Sequence, residues 1–263
     1  MVSSGRGDCD LCGAGILVTR AWRQATSLCE LIQASGGRAI RFPAVEIKGP
    51  ADPRQVEHLL SAIDSYDILI FISPNAVARG MAMLPGGRLP ERALIAAVGR
   101  GSADALAAAG RAVDLVPAQR FDSEGLLAMP QLASVQGKRI LIFRGRGGRP
   151  LLGDSLRLRG ACVDYAEVYR RVRPRVDPDP LLQRWASEVD LVTTTSGEIL
   201  ENLLALLGPG GSAQLRDTPL LVISKRMQAQ ARQLGCRQVI LGQGADDGSI
   251  LRAVCDWAAA RAR

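Results

Sequence analysis

Three blocks of this chain occur twice. The run Ile-Leu-Val-Thr-Arg at 16–20 is echoed by Ile-Leu-Ile-Phe-Arg at 140–144, and Asp-Ile-Leu-Ile-Phe-Ile-Ser at 67–73 by Asp-Leu-Val-Thr-Thr-Thr-Ser at 190–196. Leu-Ile-Ala-Ala-Val at 94–98 is echoed by Leu-Leu-Val-Ile at 220–223. The offsets are 124, 123 and 126 residues, so the chain holds two similar halves. Two similar halves create an expected cleft, where a sizeable ligand would sit.

Each block is a short aliphatic run, the signature of a buried strand. Expected strands at 16–19, 38–42, 68–72, 93–98, 139–143, 162–168, 191–195, 220–223 and 238–241 alternate with helical spacing. Helices are expected at 23–35, 56–63, 76–83, 103–109, 123–129, 150–159, 198–207, 227–234 and 249–261. Gly36-Gly37 and Gly160 read as helix stops. This alternation predicts an α/β fold of two similar lobes, each a parallel sheet flanked by helices in the flavodoxin-like manner. With 263 residues, 47% of them hydrophobic, each lobe has enough material for its own core. Aromatics are only 4%, so those cores must be largely aliphatic.

Proline- and charge-rich stretches at 42–50 and 170–180 read as connectors. If both cross between lobes, one lobe is discontinuous, from 16–45 plus 173–263, and the other, 49–169, is inserted. Residues 46–48 and 170–172 are then the crossings, and 1–15 a flexible tail.

The chain carries a net charge of +7, which favours an anionic partner. No apolar run is long enough for a membrane span, and the first dozen residues lack a signal core. A cytoplasmic location is therefore expected, with the six cysteines as free thiols. Cys9-Asp-Leu-Cys12 has CxxC spacing, but there is no second pair, and His58 is the only histidine. Neither a metal site nor a catalytic triad is well supplied.

The strand-to-helix turns are more informative. Ser73-Pro74-Asn75, Gly99-Arg-Gly-Ser102, Ser196-Gly197-Glu198 and Ser224-Lys225 each follow an expected strand. Such turns present backbone N–H groups and the positive end of a helix, which suits carboxylates or phosphates. Arg144-Gly-Arg-Gly-Gly-Arg149 is the densest basic loop. It lacks the ending of a phosphate-binding P-loop and any dinucleotide fingerprint, and its forked side chains suit carboxylates. Tyr165 and Tyr169 are two of three tyrosines, and Tyr169 lies where the chain enters a connector. A non-catalytic sensor of anionic small molecules is a competing reading. Nucleic-acid binding is another, weakened by the scarcity of stacking aromatics.

The order of these pieces resembles one family. Val18-Thr-Arg20, Ser73-Pro-Asn-Ala-Val77, Val98-Gly99 with Ser102-Ala103, and Ser123-Glu-Gly-Leu-Leu127 come first. Arg144-Gly-x-Gly-Gly-Arg149, Arg159-Gly-Ala161, Tyr165-x-x-x-Tyr169-Arg-Arg171 and Thr195-Ser-Gly-Glu-Ile199 follow. Together they resemble uroporphyrinogen-III synthase from about residue 16 to the C-terminus. The resemblance implies two α/β lobes joined by a two-stranded β connector, and a lyase of haem biosynthesis. Its substrate would be hydroxymethylbilane, a linear tetrapyrrole with eight carboxylate side chains, closed with loss of water and inversion of ring D. It implies no metal or organic cofactor, and Tyr169 as the catalytic tyrosine. The substrate-binding positions expected are Arg20, Ser73, Pro74, Asn75, Ser102, Arg144, Arg149, Ser196, Gly197, Glu198, Ser224 and Lys225. A threonine of some relatives falls near Met227, which leaves Ser224 or Lys225 as its substitute. A monomer is expected, with no nucleic-acid or membrane partner and with hand-over from the bilane-forming enzyme.

Overall fold

The computed structural model describes residues 9–261. In chain order its elements are β1 (Gly15–Val18), α1 (Thr26–Ala34), β2 (Arg38–Arg41), β3 (Glu46–Lys48), α2 (Pro53–Ser61), β4 (Ile68–Phe71), α3 (Pro74–Met83), β5 (Leu94–Ala97) and α4 (Arg100–Ala108). Then come α5 (Ser123–Leu127), β6 (Arg139–Gly145), α6 (Leu151–Leu158), β7 (Cys162–Val172), α7 (Asp179–Leu182), α8 (Trp185–Glu188) and β8 (Leu191–Thr193). The chain closes with α9 (Gly197–Asp217), β9 (Leu220–Val222), α10 (Lys225–Gln233), β10 (Val239–Leu241) and α11 (Asp247–Arg261).

These elements form two compact units. One combines the described residues up to Glu46 with those from Val172 onward, and the other is Ile47–Arg171. The first carries a sheet in the order β10-β9-β8-β1-β2. The second carries β3-β7-β6-β4-β5, and β3 and β7 hold the two crossings of the chain. The pairings among β1, β2, β8, β9 and β10, and among β4, β5, β6 and β7, are parallel.

The repeat therefore does not map one half onto one unit. β1 and β2 of the first half sit beside β8 and β9 of the second. Their copies β6 and β7 sit beside β4 and β5 of the first half. Each unit thus completes one half's opening strands with the other half's later ones. Both retain the same local order, opening strand beside the strand that follows the echoed aspartate, which creates the switch point where ligands bind in open parallel sheets.

The echoed aspartates show why this register is held. Asp67 accepts a hydrogen bond from the N–H of Arg139, and Asp190 one from the N–H of Gly15, both at 2.8 Å. Each aspartate thereby caps the start of the adjacent opening strand. Those bonds hold the Asp67 carboxyl below its usual range, with Lys138 adding to the effect. Burial pushes the Asp190 carboxyl up, but the Gly15 N–H and the Arg261 guanidinium outweigh it, and the net shift is downward.

The cores are largely aliphatic, with a few buried aromatics among them. Phe71 and Phe143, adjacent on β4 and β6, stack with centroids 4.3 Å apart. Gly80 of α3 makes room for them, since a Cβ there would lie 2.7 Å from the Phe143 ring.

Several local expectations need correction. The 3₁₀ turn Trp22–Ala25 precedes α1, so that helix begins at Thr26 and not at 23. The helix expected to end at 207 continues as α9 to Asp217, interrupted at Gly208 (φ 65°) and Pro209. Gly208 takes a left-handed turn that lets a second helical segment start afresh. The expected flexible tail does not extend to 15. Leu11 is buried, its N–H bonds the Ser35 carbonyl, and Gly13 bonds Gly36. Residues 1–8 of that expectation lie outside the described residues. The cysteines are not all free either, because Cys9 is joined to Cys255.

Candidate active site

In the Ile47–Arg171 unit, β4 delivers Ser73 at the carboxyl edge of the sheet. Ser73 has extended backbone and caps α3, its Oγ accepting from Ala76 N–H at 3.1 Å, with Pro74 at the first helical position. Asn75 follows in the same first turn. The Tyr169 hydroxyl lies 3.1 Å from Ser73 Oγ. Tyr169 is only 3% exposed, so this contact fixes its phenol.

A bulge puts Tyr169 there. Along β6 and β7 the register runs Arg144 with Glu167, then Gly145 with Tyr169, so Val168 is the extra residue. The slip sets the Tyr169 ring over Gly145, where a Cβ would fall 2.6 Å from ring carbons. Arg146 N–H then bonds the Tyr169 carbonyl at 2.8 Å. Sequence reasoning singled out Tyr169 and Ser73 but passed over Gly145 as one glycine in a basic loop. An extra residue in one strand has no signature in a single sequence.

Arg144 is in strand β6, and not in the basic loop expected for it. It is 6% exposed and its guanidinium covers the Tyr165 ring at 4.7 Å, with Arg157 at 5.0 Å from the same ring. Its Nε donates to the Gly145 carbonyl at 3.2 Å. The Tyr165 hydroxyl is buried with no protein partner. Arg144, Arg149, Ser123 and Tyr165 line a cavity of about 240 Å³ in this unit. Arg149 there pairs with Glu124 at 2.6 Å. That pairing and the first-turn backbone lower the Glu124 carboxyl. The Gly125 N–H and then Arg120 lower that of Asp122. Ser102 stands at the next strand end but is buried, and its helix α4 is capped by Gly99 without a side-chain bond.

In the other unit Ser196 caps α9, accepting from Ile199 N–H at 3.2 Å, and Ser224 caps α10, accepting from Met227 N–H at 3.3 Å. Gly197 packs against Gln230, whose Oε1 would lie 2.2 Å from a Cβ at that position. Glu198 and Lys225 occupy the first turns of α9 and α10. Met227 is buried, so it does not present its side chain to a ligand. Arg20 is engaged within the protein, donating to Asp247 and to the Ala245 carbonyl. Two threonines went unremarked in the sequence: Thr19 Oγ1 donates to the Thr193 carbonyl at 2.6 Å, and Thr193 Oγ1 to the Leu17 carbonyl at 3.0 Å. They stitch β1 to β8 at the switch point.

The comparisons with known proteins bear on what this arrangement serves. A family model described as "Uroporphyrinogen-III synthase HemD" matches residues 26–252. The chain belongs to the uroporphyrinogen-III synthase family. The uroporphyrinogen-III synthase of Escherichia coli (strain K12) is 36% identical over 246 residues, covering 91% of this chain and 99% of that protein. That of Salmonella typhimurium is 34% identical over 243 residues, again 91% and 99%. A crystal structure of a mutant uroporphyrinogen III synthase from the extremely thermophilic bacterium Thermus thermophilus aligns with a TM-score of 0.59 at 20% identity. It covers 94% of this chain and all of that one, and shows the shared two-domain α/β fold. The family is one of enzymes of tetrapyrrole biosynthesis, which leaves the sensor reading without support. Among the described residues no helix is long and apolar enough to cross a membrane, and no cluster of three or more His, Cys, Asp or Glu is placed to hold a metal.

Proposed function

We propose that the chain closes hydroxymethylbilane to uroporphyrinogen III, and that the Tyr169–Ser73 pair assists departure of the bilane hydroxyl. The observation that carries the role of the pair is the 3.1 Å contact between their oxygens at the end of β4. Ser73 Oγ already accepts from the Ala76 N–H, so its own proton is available to the Tyr169 oxygen. That arrangement leaves the phenol proton for the substrate. Tyr169 then donates to the leaving hydroxyl, which departs as water and leaves an azafulvene cation. Attack from the substituted carbon of ring D gives the spiro intermediate, which fragments and recloses with the ring inverted. A phenol is a weak acid, so Tyr169 assists and is not indispensable.

The harder task is conformational, because the bilane closes unaided to the wrong isomer. We assign its carboxylates to the capped helix starts. These are Ser73, Pro74, Asn75 and Ser102 in one unit, and Ser196, Gly197, Glu198, Ser224 and Lys225 in the other. Arg144 supplies a forked donor, and Arg149 and Arg20 would have to exchange Glu124 and Asp247 for substrate to join it. The protein acts as a cytoplasmic monomer without metal or cofactor, and receives the bilane directly from the enzyme that forms it.

Isomer analysis tests the activity: purified chain should yield the type III product, and type I alone would refute it. Tyr169→Phe should lower turnover about tenfold with little loss of stability. An unchanged rate removes Tyr169 from the mechanism.

A further inference from the structure

Three cysteines meet outside the stretch that the family model matches. Cys9 and Cys255 are joined in a disulfide, while Cys12 is an exposed free thiol. All three line one cavity of about 560 Å³ within the first unit. All three also fall outside residues 26–252, the stretch matched by the family model.

The backbone holds Cys12 in an unusual way. Among the described residues it is the only non-glycine with a left-handed φ, +47°. Side chains rarely adopt that conformation unless surrounding contacts enforce it. Here Asp10 enforces it, accepting from the Cys12 N–H at 2.8 Å, and the Cys12 thiol rests 3.9 Å from the Asp10 carbonyl oxygen. The turn keeps the free thiol within the same CxxC step as one sulfur of the disulfide, the spacing at which two cysteines close a small ring.

We propose that Cys12 is the exchanging thiol of a three-cysteine relay. The Cys12 thiolate attacks Cys9 Sγ. The Cys9–Cys12 bond forms as the Cys9–Cys255 bond breaks, and the electron pair leaves on the Cys255 sulfur. Cys255 takes up the proton that Cys12 released, so one disulfide is exchanged for another and no oxidant or reductant enters. The exchange unfastens α11 from segment 9–14. It also leaves Cys255 as a thiol facing the cavity, open to modification by small electrophiles and disulfides.

The test uses the full chain, oxidised with the disulfide form of dithiothreitol and freed of it. After incubation in mildly alkaline buffer the sample is quenched in acid, labelled with N-ethylmaleimide and mapped by peptide mass spectrometry. Wild type should contain a Cys9–Cys12 bridge with maleimide on Cys255. Cys12→Ser should retain Cys9–Cys255 and label Cys255 about tenfold less, since it loses the intramolecular attacker. Cys12→Ala serves as a second variant and should behave alike. Equal Cys255 labelling with and without Cys12 would overturn the relay. So would maleimide confined to Cys12 over an intact Cys9–Cys255 link, or oxidised protein lacking that link. The readout is covalent mapping, so its failure leaves the ring-closing activity standing.

Discussion

Gly145 is the residue on which the Tyr169 phenol depends. With a Cβ only 2.6 Å from the ring, Gly145→Ala must push the phenol away from Ser73 or reopen the β7 bulge. A misplacement of that size should lower turnover about tenfold, as loss of the hydroxyl in Tyr169→Phe does, with circular dichroism unchanged. Steady-state kinetics showing a normal kcat would mean that the phenol's position is immaterial. Asp190 offers a test of electrostatics. Its carboxyl lies below the usual value because the Gly15 N–H and Arg261 favour the charged form over the opposing effect of burial. A lowered folded-state pKa contributes stability that is present above the unfolded value of about 3.9 and is lost as pH falls through the folded value. Asp190→Asn should therefore be less stable than wild type near neutrality, and the gap should close in acid. Urea titrations at a series of pH values would detect it, and a gap independent of pH would exclude the linkage.

At the scale of elements, the serine turns are capped helix starts. Replacing Ser224 by alanine removes the oxygen that accepts the Met227 N–H and should cost about 1 kcal/mol in urea unfolding. A larger loss in substrate affinity than in stability would mark a role beyond the cap. These turns were legible in the sequence because a serine cap followed by a helical run is a local pattern. The strands were legible because aliphatic runs bounded by polar turns leave few alternatives. Gly36 and Gly160 lie at left-handed φ just past α1 and α6, where the stops were expected. Non-local features were hidden. The Val168 bulge, the burial of Arg144 against the Tyr165 ring and the union of Cys9 with Cys255 all depend on partners distant along the chain. So does the continuation of α9 past Pro209, which tertiary packing of Gly211, Ser212 and Leu215 sustains against the local break.

Across the whole molecule, the two units share the order of four strands by exchanging the later strands of each half, while the fifth strand, β10 or β3, flanks opposite ends of those four. The Cys9–Cys255 link spans 246 residues and ties the two ends of the discontinuous unit. Cys255→Ser should destabilise that unit by about 2–4 kcal/mol under oxidising conditions. Hydrogen exchange followed by mass spectrometry should show faster opening of β1, α1 and α11, with Ile47–Arg171 unchanged. Uniform loss of protection in both units would argue instead for a single cooperative block. The interleaved order also bears on synthesis. β1 pairs with β8, Ile16 lying against Leu191, so the first strand to leave the ribosome lacks one neighbour until about 175 more residues have emerged. At ordinary elongation speeds that interval is on the order of 10–35 s. The inserted unit is fully translated sooner, while the opening β1–α1–β2 segment waits with an apolar edge uncovered. A nascent chain stalled once residue 171 has cleared the ribosomal exit tunnel should thus carry one protease-resistant body and one chaperone client.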